Sequence, residues 1–222
     1  MSVVTGNKVK VGFFSFTEIT DPREHRSYNE WHQLDHMPEQ FPLDGLAYGQ
    51  RWVSTPACRA ARVVSGERLD PIHYVTLYLM TEPVERTLRE FRELGQELHD
   101  KHRFHLHRRA RLSGPFELVA TAVAPRVLIS AAAVPYRPNR GVYMVVQTAG
   151  AARPDAGTWC AADGVAGVWQ FADAERTITV AWLDEDPLAV APRLAVPGDG
   201  VELAGPFATI TPWEWDWFEN PA

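Results

Sequence analysis

Residues 42–52 read Pro-Leu-Asp-Gly-Leu-Ala-Tyr-Gly-Gln-Arg-Trp, and residues 162–171 read Ala-Asp-Gly-Val-Ala-Gly-Val-Trp-Gln-Phe. In both stretches an Asp-Gly pair, typical of a tight turn, precedes a run that is typical of a strand. Further landmarks recur in the same order: a strand followed by acidic residues and a proline, then Gly-Pro-Phe at 114–116 and again at 205–207. Such ordered recurrence predicts a duplicated structural unit.

Each unit reads as strand, helix, strand, strand, helix and strand, which is the order of a ferredoxin-like fold. The helices of such a fold cover one face of its sheet, and two sheets can bury their other faces against each other. We therefore predict an α+β fold in which tandem ferredoxin-like repeats form an intramolecular, pseudo-dimeric α/β barrel. The elements predicted for the first unit are 10–16, 24–37, 46–54, 73–80, 84–104 and 116–123.

The two predicted halves are unequal. Residues 1–125 form a ferredoxin-like half that carries a histidine motif, and residues 126–222 form a degenerate half that closes the barrel. Gly150, Pro154 and Gly157 interrupt the first helix of the second half, so we expect a loop or one short helical turn there. The later helix at 188–194 is also short. One chain supplies both halves, so closure does not require a homodimer, although a homodimer is left open.

The composition argues against several classes of protein. With 45% hydrophobic and 23% charged residues, the 222-residue chain is globular, and its net charge of −6 argues against a nucleic-acid partner. No stretch reaches the ~20 apolar residues of a membrane helix, and residues 1–10 do not resemble a secretory signal. Cys58 and Cys160 read as free thiols. We therefore predict a cytoplasmic protein with no membrane partner.

All eight histidines precede residue 108, and histidine is the side chain best suited to proton transfer near neutral pH. His32 and His36 are one helical turn apart and share a face. Pro38 ends the predicted helix, so the helix dipole should favour protonation of His36, and Asp35 or Glu39 could orient its ring. A helix-capping histidine is one alternative, and a metal site with a third ligand from elsewhere is another.

Residues 29–39, Asn-Glu-Trp-His-Gln-Leu-Asp-His-Met-Pro-Glu, resemble the signature of EthD-like proteins in the dimeric α/β-barrel superfamily. His36 stands at the recurrent histidine of that signature. Gln33 stands where members often carry Asp, and His32 replaces an aromatic residue. The resemblance covers about residues 8–120 and implies a small-molecule pocket between the first helix and the barrel-facing sheet. The other matching residues are Trp31, Pro38 and Glu39.

Strand alternation predicts which residues line the barrel. In the strand at 73–80, Val75, Leu77 and Leu79 form a purely apolar face that should pack under the helices. The mixed face should line the interior as the wall of a pocket, and an interior that is simply filled is the alternative. The predicted wall is Tyr74, Thr76 and Tyr78 with Tyr48, Gln50 and Trp52, joined from the second half by Tyr143, Gln147, Trp169 and Trp182.

Two charged runs have more than one interpretation. Residues 101–109, Lys-His-Arg-Phe-His-Leu-His-Arg-Arg, are typical of a solvated helix end, with contact to an acidic substrate as the alternative. Residues 213–218 alternate aromatic and acidic side chains and predict an edge strand. Its tryptophans could seal the barrel or dock a second subunit.

Our first functional hypothesis is a cofactor-independent enzyme of lyase, dehydratase, cyclase or isomerase type that acts on a hydrophobic or aromatic small molecule. His36 is its main base, assisted by His32, Tyr78 or Tyr48, and no metal is predicted. A non-catalytic carrier of a hydrophobic ligand is the second hypothesis, and a haem or metal protein is the third. The predicted substrate-binding residues are Trp31, Glu39, Tyr48, Gln50, Trp52, Tyr74 and Thr76.

Overall fold

The structure is a computed structural model that describes residues 6–196 and 198–219. The strands in these residues are β1 Val9–Ile19, β2 Leu46–Val53, β3 Val64–Ser65, β4 Tyr74–Thr81, β5 Arg108–Val123, β6 Gly141–Thr148, β7 Val165–Ala172, β8 Arg176–Leu183 and β9 Val201–Thr209. Eight of them pair in the order β2-β4-β1-β5-β7-β8-β6-β9, and β9 also pairs with β2. The sheet is therefore a closed antiparallel barrel, which the short β3 extends beside β9.

The helices of the described residues lie outside this barrel. They are α1 His25–Trp31, α2 Pro56–Ala60, α3 Val84–Asp100, α4 Ala156–Ala161 and α5 Pro187–Val190. A π-helical turn, His32–His36, and a 3-10 turn, Pro38–Gln40, continue α1. No helix among the described residues has both the length and the apolar character needed to cross a membrane.

The predicted second helix of the first half is confirmed as α3, although it ends at Asp100 rather than at residue 104. His102 adopts a positive φ of 56°, and the Arg103 N–H donates to the Leu98 carbonyl at 2.9 Å. A left-handed residue of this kind ends a helix. The chain then turns back, so residues 103–108 lie beside α1 and lead into β5.

Apolar side chains occupy the barrel interior. Phe14 of β1 meets Phe171 of β7 with ring centroids 5.1 Å apart, although β5 separates the two strands. A barrel of eight strands is just wide enough for side chains to fill it. The interior cluster includes Phe14, Phe16, Trp52, Val75, Leu77, Leu79, Met144, Trp169, Phe171, Ile178, Val180, Trp182 and Phe207.

One prediction about the strand faces is wrong. Val75, Leu77 and Leu79 face the interior, whereas the mixed face of β4, formed by Tyr74, Thr76 and Tyr78, faces the helices. Tyr143 also faces outward, against Trp159 of α4. The physical reason is that the polar groups of Tyr74, Thr76 and Tyr78 would find no partner among the apolar side chains that fill the middle of the barrel, so the purely apolar set of β4 lies inside.

Each group of four main strands has the same spatial order. Within the barrel the first group is ordered β2-β4-β1-β5 and the second group β7-β8-β6-β9. In both groups the strand that comes second in the chain is followed in space by the third, then the first, then the fourth. The groups differ in their helices. The short turn predicted between residues 148 and 163 is confirmed as α4, and the short later helix is confirmed as α5 with a 3-10 turn. The domain division at residue 125 stays a prediction.

The edge strand predicted at residues 213–218 is wrong, because these residues form turns and irregular chain. A closed barrel leaves no long free edge with which they could pair. Instead Trp215, which is 2% exposed, belongs to a buried cluster that includes Tyr28 and Tyr74, and Trp217 packs against this cluster. Trp213 is 69% exposed. Part of this segment thus covers the outer face beside α1 and does not close the barrel interior, and docking of a second subunit stays a prediction.

Candidate functional site

A cavity of about 170 Å³ lies between the outer face of β1 and β4 and the helical residues 25–40. An apolar cavity of about 150 Å³ is known to hold benzene, so this one is the size of a small aromatic molecule. Its wall is mixed and combines several aromatic rings with many polar side chains. The lining residues are Phe13, Ser15, Thr17, Tyr28, Trp31, His32, His36, Gln40, Thr76, Tyr78, Phe91, Gly95, Phe104, Arg108 and Ser113.

The π-helical turn brings both histidines of the motif to this cavity. The Met37 N–H donates to the His32 carbonyl at 2.9 Å, so the turn contains one more residue than an α-helical turn. Pro38 follows and has no N–H with which to continue the ladder. Such turns within α-helices are frequent at functional sites. The two rings lie 5.2 Å apart between centroids and nearly perpendicular to each other.

His32 is 5% exposed and lies at the back of the cavity. Its Nε2 lies 3.4 Å from the Thr76 hydroxyl, and its Nδ1 has no hydrogen-bond partner among the described residues. Burial lowers the pKa of His32 well below the ordinary value, and the positive charge of Arg51 adds to this effect. At neutral pH the ring is therefore an uncharged imidazole.

His36 stacks on Trp31, with ring centroids 4.6 Å apart, and its buried Nδ1 has no partner in the described part of the chain. Burial lowers the pKa of His36 to about 4, and Arg108 contributes to the same shift. The prediction that the helix dipole favours a protonated His36 is wrong. The loss of hydration of a buried imidazolium outweighs the dipole effect of one helix end.

Asp35 and Glu39 do not orient the His36 ring as predicted. Both carboxylates accept hydrogen bonds from Nη2 of Arg103, at 2.6 and 2.8 Å. Glu39 thus lies outside the cavity lining. The Arg103 carbonyl in turn accepts a hydrogen bond from the Trp31 indole N–H at 2.6 Å, so this arginine holds the indole on which His36 stacks.

Two tyrosines on β4 differ in their surroundings. Tyr78 lines the cavity, its buried hydroxyl has no hydrogen-bond partner among the described residues, and burial raises its pKa. Gly49 makes room for this ring, because a Cβ there would lie 2.8 Å from it. Tyr74 lies behind the cavity wall. Its hydroxyl pairs with His25 Nδ1 at 2.9 Å and accepts from the Asn29 amide at 2.9 Å.

The structure does not bring Tyr48, Gln50 and Trp52 to the cavity. They lie on the interior face of β2, opposite Leu79, Leu77 and Val75 of β4, so the sheet separates them from both histidines. Gln50 and Trp52 donate to the Asn139 side-chain oxygen at 3.2 Å each. These two residues thus tie the chain before β6 to β2, where the barrel closes.

Sequence reasoning missed two arginines. Arg51 is 3% exposed, donates to Asn29 Oδ1 at 3.0 Å and lies over the rings of Tyr28 and Tyr74. Strand alternation could have found it, because it stands between Gln50 and Trp52 and must face the helices. Arg108, the second, stands in the basic run assigned to a helix end, but it begins β5 and lines the cavity.

The cavity combines neutral bases with unsatisfied polar atoms. Among the described residues, His32 Nδ1, His36 Nδ1, Gln40 Oε1 and the Tyr78 hydroxyl have no protein partner. Buried polar groups are normally hydrogen-bonded, so these four atoms make the cavity wall unusual. No cluster of three or more His, Cys, Asp or Glu side chains in the described ranges is placed to hold a metal ion.

Comparison of the chain with protein-family models, with curated proteins and with solved structures finds no match. The geometry of the cavity is therefore the basis on which a function is argued.

Proposed function

We propose that the cavity is the active site of a cofactor-independent enzyme of the lyase or isomerase type, which moves a proton on a small aromatic substrate. The observation that carries this proposal is that His32 and His36, two imidazoles whose pKa values are lowered by burial, both line one cavity that is walled by aromatic rings. A neutral imidazole can accept a proton, and a positioned base contributes roughly 100-fold or more to the rate.

His36 is the proposed base, because its ring lines the cavity. It takes a proton from a carbon next to a substrate carbonyl, the electron pair of that C–H bond forms a carbon–carbon double bond, and the π pair of the carbonyl moves to its oxygen to give an enolate. The neutral Tyr78 hydroxyl donates a hydrogen bond to this oxygen, because its raised pKa keeps the proton in place. Return of the proton to another position of the substrate completes an isomerisation.

The resemblance to EthD-like proteins and the duplication belong to the same proposal. Both strand groups have the spatial order expected of ferredoxin-like units. The cavity also lies beneath the segment that carries the histidine signature, where the resemblance implies a pocket. These observations support a tandem pseudo-dimeric barrel of that superfamily, and the cytoplasmic location stays part of the proposal.

Proton exchange in D2O tests the proposed reaction. Phenylacetone and phenylpyruvate are suitable probes, because each joins one ring to an acidic C–H beside a carbonyl. NMR should show loss of the benzylic proton signal faster with the protein than in buffer alone. His36→Gln should lower this rate by roughly 100-fold or more while the free energy of unfolding changes by about 1 kcal/mol or less.

His99→Gln is the matched control, because His99 is exposed on α3 and lies outside the cavity lining. It should exchange both probes at the wild-type rate. Wild-type exchange no faster than buffer for both probes, or equal rates for His36→Gln and the wild type, would contradict the proposal.

A non-catalytic carrier is the second candidate. The observation that favours it is the pKa of about 4 for His36, which makes the ring a weaker base than one whose pKa lies near 7. Co-purification followed by mass spectrometry separates the two functions, because a carrier returns its ligand chemically unchanged. The cavity is sized for one ring and is smaller than a porphyrin, so it does not fit haem.

A further inference from the structure

We infer that the cavity selects small aromatic anions, carboxylates above all, and that Arg108 is the residue that holds the charged group. This inference deepens the proposed function, because it concerns the substrate class of the same site. It rests on the environment of Arg108 and on the charges that surround the cavity.

Arg108 differs from its neighbours in having no acidic partner. Arg103 binds two carboxylates, and Arg111 pairs with Glu18 at 2.7 Å. Arg108 lies between them in sequence, yet within the described residues it makes no salt bridge and no side-chain hydrogen bond of the usual geometry. Its guanidinium instead lies 4.4 Å from the Phe104 ring centroid and 5.6 Å from that of Trp31. Its donors are thus free toward the cavity.

The charges around the cavity are one-sided. None of the lining residues is an aspartate or a glutamate, and Arg108 is the one lining residue with a permanent charge. The nearby carboxylates of Asp35 and Glu39 are already paired with Arg103. A second cation, Arg51, lies buried behind the wall, and its Nε and Nη1 have no partner in the described residues. A bound anion would therefore compensate positive charge.

The rings of the wall restrict the rest of the ligand. Phe13 and Phe91 lie 4.8 Å apart between centroids, and Tyr78 and Phe91 lie 5.4 Å apart. An apolar ring among these side chains is removed from water. A guanidinium forms bidentate, charge-assisted hydrogen bonds with a carboxylate. A single ring that carries one carboxylate therefore fits both the apolar and the charged parts of the wall.

Binding of an anion at Arg108 also affects the basicity of His36. Burial is the main cause of the lowered pKa of His36, and the charge of Arg108 is the next. A carboxylate on Arg108 offsets that charge and so favours protonation of His36. The base becomes stronger when the proposed substrate is in place than in the empty cavity.

Calorimetric titration with phenylacetate and phenylacetamide tests the inference. The two compounds have nearly the same shape and differ in charge, and neither has to react. We expect the wild-type protein to bind phenylacetate roughly tenfold or more tightly, the effect of one charge-assisted pair. Arg108→Gln should bind both compounds with similar affinity, and Arg108→Lys should retain part of the preference.

Arg109→Gln is the matched control, because Arg109 is exposed on the same strand. It should keep the wild-type preference. Equal binding of the acid and the amide by the wild type, or binding of neither, would overturn the inference. A preference retained in Arg108→Gln would also overturn it.

The binding and exchange experiments together distinguish failure of this inference from failure of the proposed function. Preferential binding of phenylacetate without exchange of either phenylpyruvate or phenylacetone leaves the anion site in place and removes the proposed reaction. Exchange of phenylacetone together with equal binding of the acid and the amide leaves the reaction in place and removes the anion site.

Discussion

The outer faces of the two strand groups differ at matched positions. In the first group Gly49 of β2 pairs with Tyr78 of β4, whereas in the second group Val168 of β7 pairs with Ala181 of β8. Gly49 and Val168 stand at the same distance from their Asp-Gly turns. The first group thus pairs one large side chain with a glycine, whereas the second group pairs two smaller side chains at the same positions.

The neighbouring pair shows the same contrast. Arg51 stands opposite Thr76, and Gln170 stands opposite Thr179. The Gln170 amide donates to the Pro154 carbonyl of the loop above it at 2.8 Å, whereas Arg51 keeps two buried nitrogens without a partner among the described residues. Similar strand orders therefore carry a polar cavity in one group and a loop-covered apolar cluster in the other.

The largest effect on stability is expected in the second group. Trp159 is 2% exposed and packs on Tyr143, so Trp159→Ala should lower the free energy of unfolding by about 3–5 kcal/mol. Proton exchange per folded molecule should not change, because Trp159 lies outside the cavity lining. Chemical denaturation measures the first quantity and NMR the second. Trp213→Ala is the control and should have little effect on the free energy of unfolding. A loss of proton exchange in folded Trp159→Ala would contradict the difference proposed between the two strand groups.

Acid should destabilise the protein through the first group. His25, His32, His36 and His73 have lowered pKa values because of burial, and the second group has no histidine. The unfolded chain binds protons near pH 6.5 and the folded chain does so only near pH 4 or below. Stability is therefore complete above pH 6.5 and falls toward pH 4, by about 1.4 kcal/mol per pH unit for each histidine that contributes fully.

Denaturation between pH 7 and pH 4.5 measures this loss. His32→Gln should reduce the slope, and His99→Gln should leave it unchanged. Constant stability over this range would show that burial does not lower the pKa values of these four histidines in the folded protein.

A side chain at Gly49 would make the Gly49 and Tyr78 pair more like the Val168 and Ala181 pair of the second group. A Cβ on Gly49 would lie 2.8 Å from the Tyr78 ring, so Gly49→Ala should lower the free energy of unfolding by about 1–3 kcal/mol. It should also weaken binding of phenylacetate, because the ring must move into the cavity. Gly114→Ala is the control, since nothing lies near a Cβ at that position. Unchanged stability and binding in Gly49→Ala would mean that the pair does not shape the cavity.

The smallest change in stability is expected for Tyr78→Phe. This substitution removes a buried hydroxyl that has no partner among the described residues, so the free energy of unfolding should stay the same or rise by up to about 1 kcal/mol. Exchange of phenylpyruvate should fall, because a donor to the enolate oxygen is lost. A large loss of stability would show that the hydroxyl is satisfied in the folded protein.

The sequence by itself determined most of the local structure and where to look for a site. The Asp-Gly turns marked the strands that follow them, the apolar spacing from Val84 predicted α3, and the glycines and proline of residues 150–157 predicted the short α4. The histidine motif pointed to residues 29–39, which lie against the cavity. These features depend on neighbours in the chain, so a sequence pattern can carry them.

Only the tertiary structure decided which strand face lies inside, because alternation states which residues share a face and not what covers it. The same limit applies to Arg51 and Arg108, whose surroundings come from distant segments, and to Trp215, whose partners lie on α1 and β4. The tertiary structure also decided the charge of His36. The helix end beside it is local and favours a proton, but burial by the folded chain removes the hydration that a protonated ring requires.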